Sequence, residues 1–229
     1  MDFNNKVYFT IPIQGNWKIL ISQTTVSTLF VMAVLITLAI IVRMKLKSFK
    51  ETPETTFQNV IELLVDTIQN FIKGTLGEKY TSVALGGWYF GVIVIIWTMN
   101  MSGLLGFRNA TADIITTAAF GLSTFFILHY MWLKHKKFRY FKEYFEPIVV
   151  FFPMNVVSEI SVPISLSFRL FGNILGGLIL MGLIYSFPFY LKIGIPAALH
   201  AYFDVFSGSI QAFIFTVLSI SFIRNKLPD

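Results

Sequence analysis

The sequence predicts an all-α integral membrane protein: five transmembrane helices, one amphipathic helix on the cytoplasmic surface, and a long tilted hairpin made by the last two spans. Three observations carry this. The 229 residues are 55% hydrophobic and only 13% charged, with a mean hydropathy of +0.69, where soluble chains carry about 25% charged residues. The charges fall in short stretches, leaving apolar runs of roughly 20 residues, enough to span a bilayer as a helix. Lys and Arg crowd alternate loops, the asymmetry that sets orientation in a membrane.

Residues 1–23 hold Asp2, Lys6 and Lys18 among polar residues and lack an apolar h-region, so they are expected to be an exterior segment rather than a signal or transit peptide. The first span is expected over 24–42, stopped by Arg43, Lys45, Lys47 and Lys50. Over 54–74, Phe57, Val60, Ile61, Leu64, Ile68, Phe71 and Ile72 recur at helical spacing, with Gln58, Glu62, Asp66 and Gln69 opposite. That pattern is an amphipathic surface helix, and Pro53 just ahead suits its start.

The second span, 83–107, lies in a stretch free of charge from Lys79 to Arg108. The third, 114–133, lies between Asp113 and the cluster from Lys134 to Arg139. The fourth, 148–187, begins after Pro147, and the fifth covers 196–224. Both exceed the hydrocarbon thickness at about 1.5 Å per residue, so they must tilt or break. With the first loop cytoplasmic, Arg43 to Lys50, Lys134 to Lys142, Arg224 and Lys226 all fall inside, leaving Lys6, Lys18, Arg108 and Lys192 outside. The N-terminus is therefore expected outside and the C-terminus in the cytoplasm.

Composition excludes several functions. There is no Cys, hence no disulfide framework and no thiolate metal site. The net charge of +6 is accounted for by topology and does not mark a nucleic-acid surface. No G-x-x-x-x-G-K-[ST] loop occurs, and no metal or cofactor site is expected.

Within the fourth span, Arg169 is the only charge between Glu159 and Lys192. A guanidinium keeps its charge, and at bilayer depth it costs roughly 2.5–3.5 kcal/mol on insertion scales, so it marks function by default. Ser165 and Asn173, at i−4 and i+4, share its helix face. Gly172, Gly176, Gly177 and Gly182 strip the following turns of side chains, which as a feature alone favours simple helix packing. On the fifth span Asp204, Ser207, Gly208 and Gln211 share a face, and Asp204 is the only acid between Glu159 and Asp229. A lone carboxyl at that depth suits a site that takes up and gives up an ion, and an ion pair with Arg169 is the plainer alternative. Glu159, ten residues before Arg169, lies toward the cytoplasmic end and points to a polar lining there. His129 and His200 are expected to be interfacial.

The run Pro163-x-Ser165-Leu166-x-x-Arg169-Leu170-Phe171-Gly172-Asn173, with the distal Gln211-Ala212-Phe213-Ile214-Phe215, resembles subunit a of the F-type ATP synthase membrane sector. The resemblance covers most of the chain. Pro53-x-x-x-x-Gln58-x-x-x-Glu62 is similar to the family's surface helix. Asn100-x-x-Gly103-Leu104-Leu105-Gly106 is similar to the end of its second span, and Thr111-Ala112-Asp113 to its outer loop.

The resemblance implies a stator ion-channel subunit of a rotary motor in the bacterial plasma membrane. Two offset half-channels load and unload H⁺ or Na⁺ on a ring of c subunits, and peripheral-stalk b subunits and the remaining ATP synthase subunits complete the partners. It implies that Arg169 faces the ring as charge separator, that Asn173 and Gln211 line the outer half-channel with Asp113 at its entrance, and that Ser165 and Glu159 lie on the inner side. Many bacterial members carry Glu nine residues after the Arg, here Leu178, and often His seven residues before the Gln, here Asp204. The acid has moved to the facing helix, so the ion-relay role passes to Asp204. H⁺ and Na⁺ remain open, because the ring's own binding site largely selects between them.

A secondary ion-coupled transporter is the alternative, but it would show paired broken helices and internal repeats, and none is evident. An intramembrane protease would need a Ser–His or paired-Asp arrangement, and Asp204 has no partner acid in the sequence.

Overall fold

The computed structural model of the protein describes residues 7–12, 18–47, 49, 55–137, 139–145, 148–188 and 194–228. Pro53, Pro147 and Lys192, and the expected start of the surface helix at residue 54, lie outside them. Among the described residues, five helices are long and apolar enough to cross a membrane.

The chain opens with a strand pair, β1 (Val7–Pro12) antiparallel to β2 (Lys18–Ser22). These residues, expected as an exterior segment, thus carry a hairpin ahead of the first span. Val7-Tyr8-Phe9-Thr10-Ile11 and Ile19-Leu20-Ile21 are the β-branched and aromatic residues that fit a pleated surface.

Ser22 caps the first span, α1 (Gln23–Leu46), accepting from the Thr25 N–H. The helix runs past the expected end at 42, through Arg43 and Lys45 to Leu46, because long basic stems can lie along the helix and reach the interface. Only Thr24, Ser27 and Val31 of α1 are buried, so it stands at the margin of the bundle.

The surface helix α2 (Thr56–Leu76) is capped by Thr55 and ends at Gly77, whose φ of 87° a side chain would disfavour. Its two halves differ. Phe57, Val60, Leu63, Leu64 and Val65 are exposed, whereas Ile72 and Leu76 are buried in the core with Ile68 and Phe71 packed beside them. Gln58, expected on the polar face, is buried and donates its amide to Glu62 at 2.7 Å.

Ser82 caps α3 (Val83–Met101), which tightens into 3₁₀ turns over Ser102–Leu105. Asp113 caps α4 (Ile114–Lys136), and α5 (Arg139–Glu143) is a short turn on the same side. A 3₁₀ turn at Val149–Phe151 leads into α6 (Phe152–Ser186). The last span comprises α7 (Ile195–His200), a π-helical stretch (Ala201–Ser207) and α8 (Gly208–Lys226).

Lipid offers apolar side chains the same surroundings as a core, so small residues and polar contacts do much of the joining. Gly121 on α4 lets α6 approach closely: a Cβ there would stand 2.2 Å from Ser167 Oγ and 2.6 Å from the Pro163 carbonyl. Ser167 Oγ donates to that same carbonyl at 2.6 Å. Tyr89 and Ser219 share a buried hydrogen bond of 2.8 Å between α3 and α8, and Trp132 Nε1 donates to the Ile223 carbonyl at 3.2 Å. A central cluster of Val92, Ile96, Leu166, Leu170, Ala212 and Phe215 fixes α3, α6 and α8 together. That joint aligns the two long helices.

Candidate functional site

The fifth span changes its winding where its acid lies. Residues Ala201–Ser207 are π-helical, a form in which each bond reaches five residues back and which is common at functional sites. At its end the Gly208 carbonyl accepts from Asn100 Nδ2 at 3.0 Å, and Asn100 Oδ1 accepts from Thr111 at 2.8 Å. Gly208 has no Cβ because one would stand 2.9 Å from the Asn100 Cβ. The end of α3 therefore holds the end of the π stretch.

Asp204 is 7% exposed within this stretch. His200 Nδ1 lies 2.6 Å from its Oδ2, and Asn109 Nδ2 lies 3.4 Å from its Oδ1. Gly103 makes room for the second contact, since a Cβ there would stand 2.5 Å from Asn109 Oδ1 and 3.0 Å from Asp204 Oδ2. Among the described residues Asp204 makes no pair with Arg169, so a simple Arg–Asp tie between the helices is excluded.

The carboxyl faces a cavity of about 370 Å³ between α6, the turns after α3 and the start of the fifth span. Leu178, Tyr185, Arg108, Asn109 and His200 line it with Asp204. Leu178 and Asp204 thus share one chamber. His200, expected to be interfacial, instead lines the chamber and touches the acid. Its position four residues before Asp204 on a helix carried that signal. Asn109 and Tyr185 arrive from elements remote in sequence, and no local pattern announces them.

Arg169 lies on a different face. Ser165, Phe168, Arg169, Gly172 and Gly176 are exposed on one side of α6, opposite the buried Leu166, Leu170 and Ile174. Arg169 makes no hydrogen bond or ion pair among the described residues. A Cβ at Gly172 or Gly176 would meet nothing within 4 Å, so these two do not serve packing inside the chain. Gly177 does, since a Cβ there would stand 3.2 Å from the Phe203 ring. The glycine run thus splits between an open face and a helix contact.

One contact links the faces. Ser207 Oγ donates to Asn173 Oδ1 at 2.8 Å, joining α6 to the last turn of the π stretch. Asn173 is one turn from Arg169, and Ser207 nearly one turn from Asp204, with a turn rising about 5.4 Å. Gln211 is buried one turn further on, outside the chamber, and its Nε2 meets no acceptor among the described residues.

Glu159, expected with Ser165 on the inner side, makes its contacts within the bundle. It is 6% exposed and faces into the bundle, where Lys226 Nζ pairs with it, the Tyr144 hydroxyl donates to it, and His129 Nε2 lies 3.4 Å away. The physical reason is its register: Glu159 falls on the same stripe of α6 as Pro163, Leu166 and Leu170, which packs inward. Asp113 is also separate from the chamber. One carboxylate oxygen caps the Ile115 N–H and the other accepts from Thr24 at 3.1 Å, against α1.

Residues 25–224 match the family described as the ATP synthase A chain. The sodium-ion-specific ATP synthase subunit a of Propionigenium modestum is 31% identical over 225 residues, spanning 91% of this chain and 75% of that one. ATP synthase subunit a of Bacillus velezensis is 33% identical over 195 residues, 74% of this chain and 79% of that one. The subunit a of Moorella thermoacetica is 29% identical over 208 residues, 90% of each chain.

Proposed function

From the premise that the chain belongs to the ATP synthase A chain family, the bacterial F-type subunit a, we propose that Arg169 is the charge that separates its two half-channels. The subunit is the stator ion channel of the F-type ATP synthase, a multi-pass membrane protein of that complex. The finer reading concerns which residues carry the ion and what they face.

The observation that carries it is the exposed Arg169, without a partner among the described residues, on an α6 face cleared by Gly172 and Gly176. An exposed guanidinium at bilayer depth needs a partner of opposite charge. A ring of c subunits whose carboxylates pass along this face supplies one. As a carboxylate nears Arg169 it is held as the anion and releases its ion; reloaded from the other channel, it is neutral and enters lipid. Arg suits the separator because it keeps its charge, whereas a buried Lys can lose its proton. One charge crossing 100 mV supplies about 2.3 kcal/mol, so several must cross for each ATP, as a ring allows.

The outer half-channel is the chamber at His200 and Asp204, continued by Ser207 and Asn173 toward Arg169, with the free Gln211 amide beside that line. Ser165 begins the inner side. Glu159 anchors the cytoplasmic end instead of lining the path, and Asp113 fastens α4 to α1. The N-terminus is outside and the C-terminus cytoplasmic, and peripheral-stalk b subunits hold the chain still. It contributes an ion path and no nucleotide chemistry. A free-standing transporter is not favoured.

The test is ATP synthesis driven by an ion gradient in membranes carrying Arg169→Ala. Coupled synthesis is lost while the complex still assembles; near-normal synthesis would overturn the assignment.

A further inference from the structure

We propose that Asn100 is a positioning residue for ion transfer: through the Gly208 carbonyl it holds the last span in its π-helical form and so sets the direction in which Asp204 faces the chamber. The inference rests on the reading of that chamber as the outer half-channel.

The π form needs a cause outside its own residues. A π turn closes over five residues where an α turn closes over four, so Ala201–Ser207 carries one residue more than the α form would need. Such winding is rare. The stretch holds neither Pro nor Gly, the usual local reasons for a break. Its neighbours supply the cause, and they change where the winding changes. The stretch itself leans on α6: Phe203 lies against Gly177, and Ser207 Oγ donates to Asn173 Oδ1. The residues that follow are held by α3: Asn100 Nδ2 donates to the Gly208 carbonyl at 3.0 Å, and Trp97 Nε1 to Ser209 Oγ at 2.9 Å. Of these two ties, only the Asn100 bond grips the backbone.

That grip is sealed and fixed at both ends. Asn100 and Thr111 are each 0% exposed. A carbonyl only accepts, so the amide nitrogen faces Gly208, and Oδ1 is left to accept from Thr111 at 2.8 Å. A carbonyl has two lone pairs, so Gly208 can take this donor beside a bond within its helix. A side chain set against the helical ladder is one of the identified causes of a break in winding. Gly208 allows the approach, because a Cβ there would stand 2.9 Å from Asn100 Cβ. Asp204 lies before the joint and Gln211 after it. Without Asn100 the stretch is expected to wind as α-helix, which turns Asp204 away from Asn109 while Gln211 stays. Asn100 is not among the residues that line the cavity. It acts through the backbone and not on the ion.

The experiment uses the whole complex in sealed vesicles, with ATP-driven ion uptake normalised to assembled enzyme. Asn100→Leu, close in shape but without a donor, is expected to lower turnover at least tenfold. Deleting Val205, an exposed residue of the stretch, removes the extra residue, so an α-helix then aims Asp204 correctly. In that shortened chain Asn100→Leu should cost less than twofold. Geometry is read separately. The chain has no Cys of its own, and a Cβ at 177 would stand 3.3 Å from that of Phe203, close to disulfide range. Cys at 177 and 203 should join under a mild oxidant, and Asn100→Leu should cut the yield at least fivefold. Full turnover in Asn100→Leu overturns the proposal. So does lost turnover with the disulfide yield unmoved, since Asn100 then acts elsewhere than on winding. An equal loss in the full and shortened chains also overturns it; if the shortened chain is itself inactive, the disulfide yield decides. Arg169→Ala run in parallel separates the readings: if it abolishes coupling while Asn100→Leu does not, the channel assignment stands and only the clamp falls.

Discussion

Leu178 and Asp204 face each other across one chamber, one from α6 and the other from the π-helical stretch of the last span. A carboxyl on either wall would enter the same space. Asp204→Asn is therefore expected to cut proton pumping per assembled complex at least tenfold. Adding Leu178→Glu to Asp204→Asn should recover part of it, because the acid returns to the same space from the opposite helix. The check is pumping normalised to assembled complex; unchanged turnover in Asp204→Asn would remove the relay role.

Arg169→Lys is expected to fail nearly as fully as Arg169→Ala. The ammonium is a compact point charge that loses the planar fork and can give up its proton when desolvated. Coupled ATP synthesis at several pH values measures this, and a Lys variant active at all of them would contradict it.

Gly172 and Gly176 look out from the chain into open space, so the fold tolerates side chains there. Cys at 165, 172 or 176 should cross-link to the ring subunit, whereas Cys at Leu35, packed beside Val31 and Met99, should not. Gly176→Leu should leave subunit abundance intact and stall rotation. Ring cross-links from residue 35 alone would reverse the proposed layout.

Gly121→Val tests packing instead of transport. The new side chain would meet the Pro163 carbonyl, which cannot rotate away, and Ser167 Oγ. Overpacking of this kind costs about 1–3 kcal/mol. Lower subunit abundance is expected, with near-normal turnover in the complexes that form.

Lys226→Ala strips Glu159 of its cation and leaves a buried acid held by Tyr144 and His129. An unmatched buried acceptor costs roughly 1–3 kcal/mol. Abundance should fall and return in part with Glu159→Gln, which needs no counter-charge. Quantifying subunit a in membranes decides it.

The spans were legible because lipid imposes one rule on every long apolar run. Arg169 stands out in the sequence because a lone permanent charge in such a run has few uses. What stayed hidden depends on contacts between distant segments. Asn109 reaches Asp204 from the loop after the second span, and nothing near residue 109 in the sequence points to it. Glu159 turns inward for a reason that its distance along the helix does not show. Ten residues at about 100° each turn it onto the inward stripe. The β1–β2 pair is a short hairpin, and two strands of five or six residues leave only a weak pattern beside the long apolar spans. His200 was the avoidable miss, since its spacing to Asp204 already matched an i,i+4 pair.

The wider winding of Ala201–Ser207 makes the last span two rods joined at an adjustable angle. A continuous α-helix would lock the azimuth of His200 and Asp204 to that of Gln211 and Phe215. Here the tally of residues in the joint sets one against the other. Winding 201–207 as ordinary helix without removing a residue would swing the two halves apart by one residue's turn, about 100°. The acid would then leave its chamber with every side chain chemically intact, a loss of function written in phase alone.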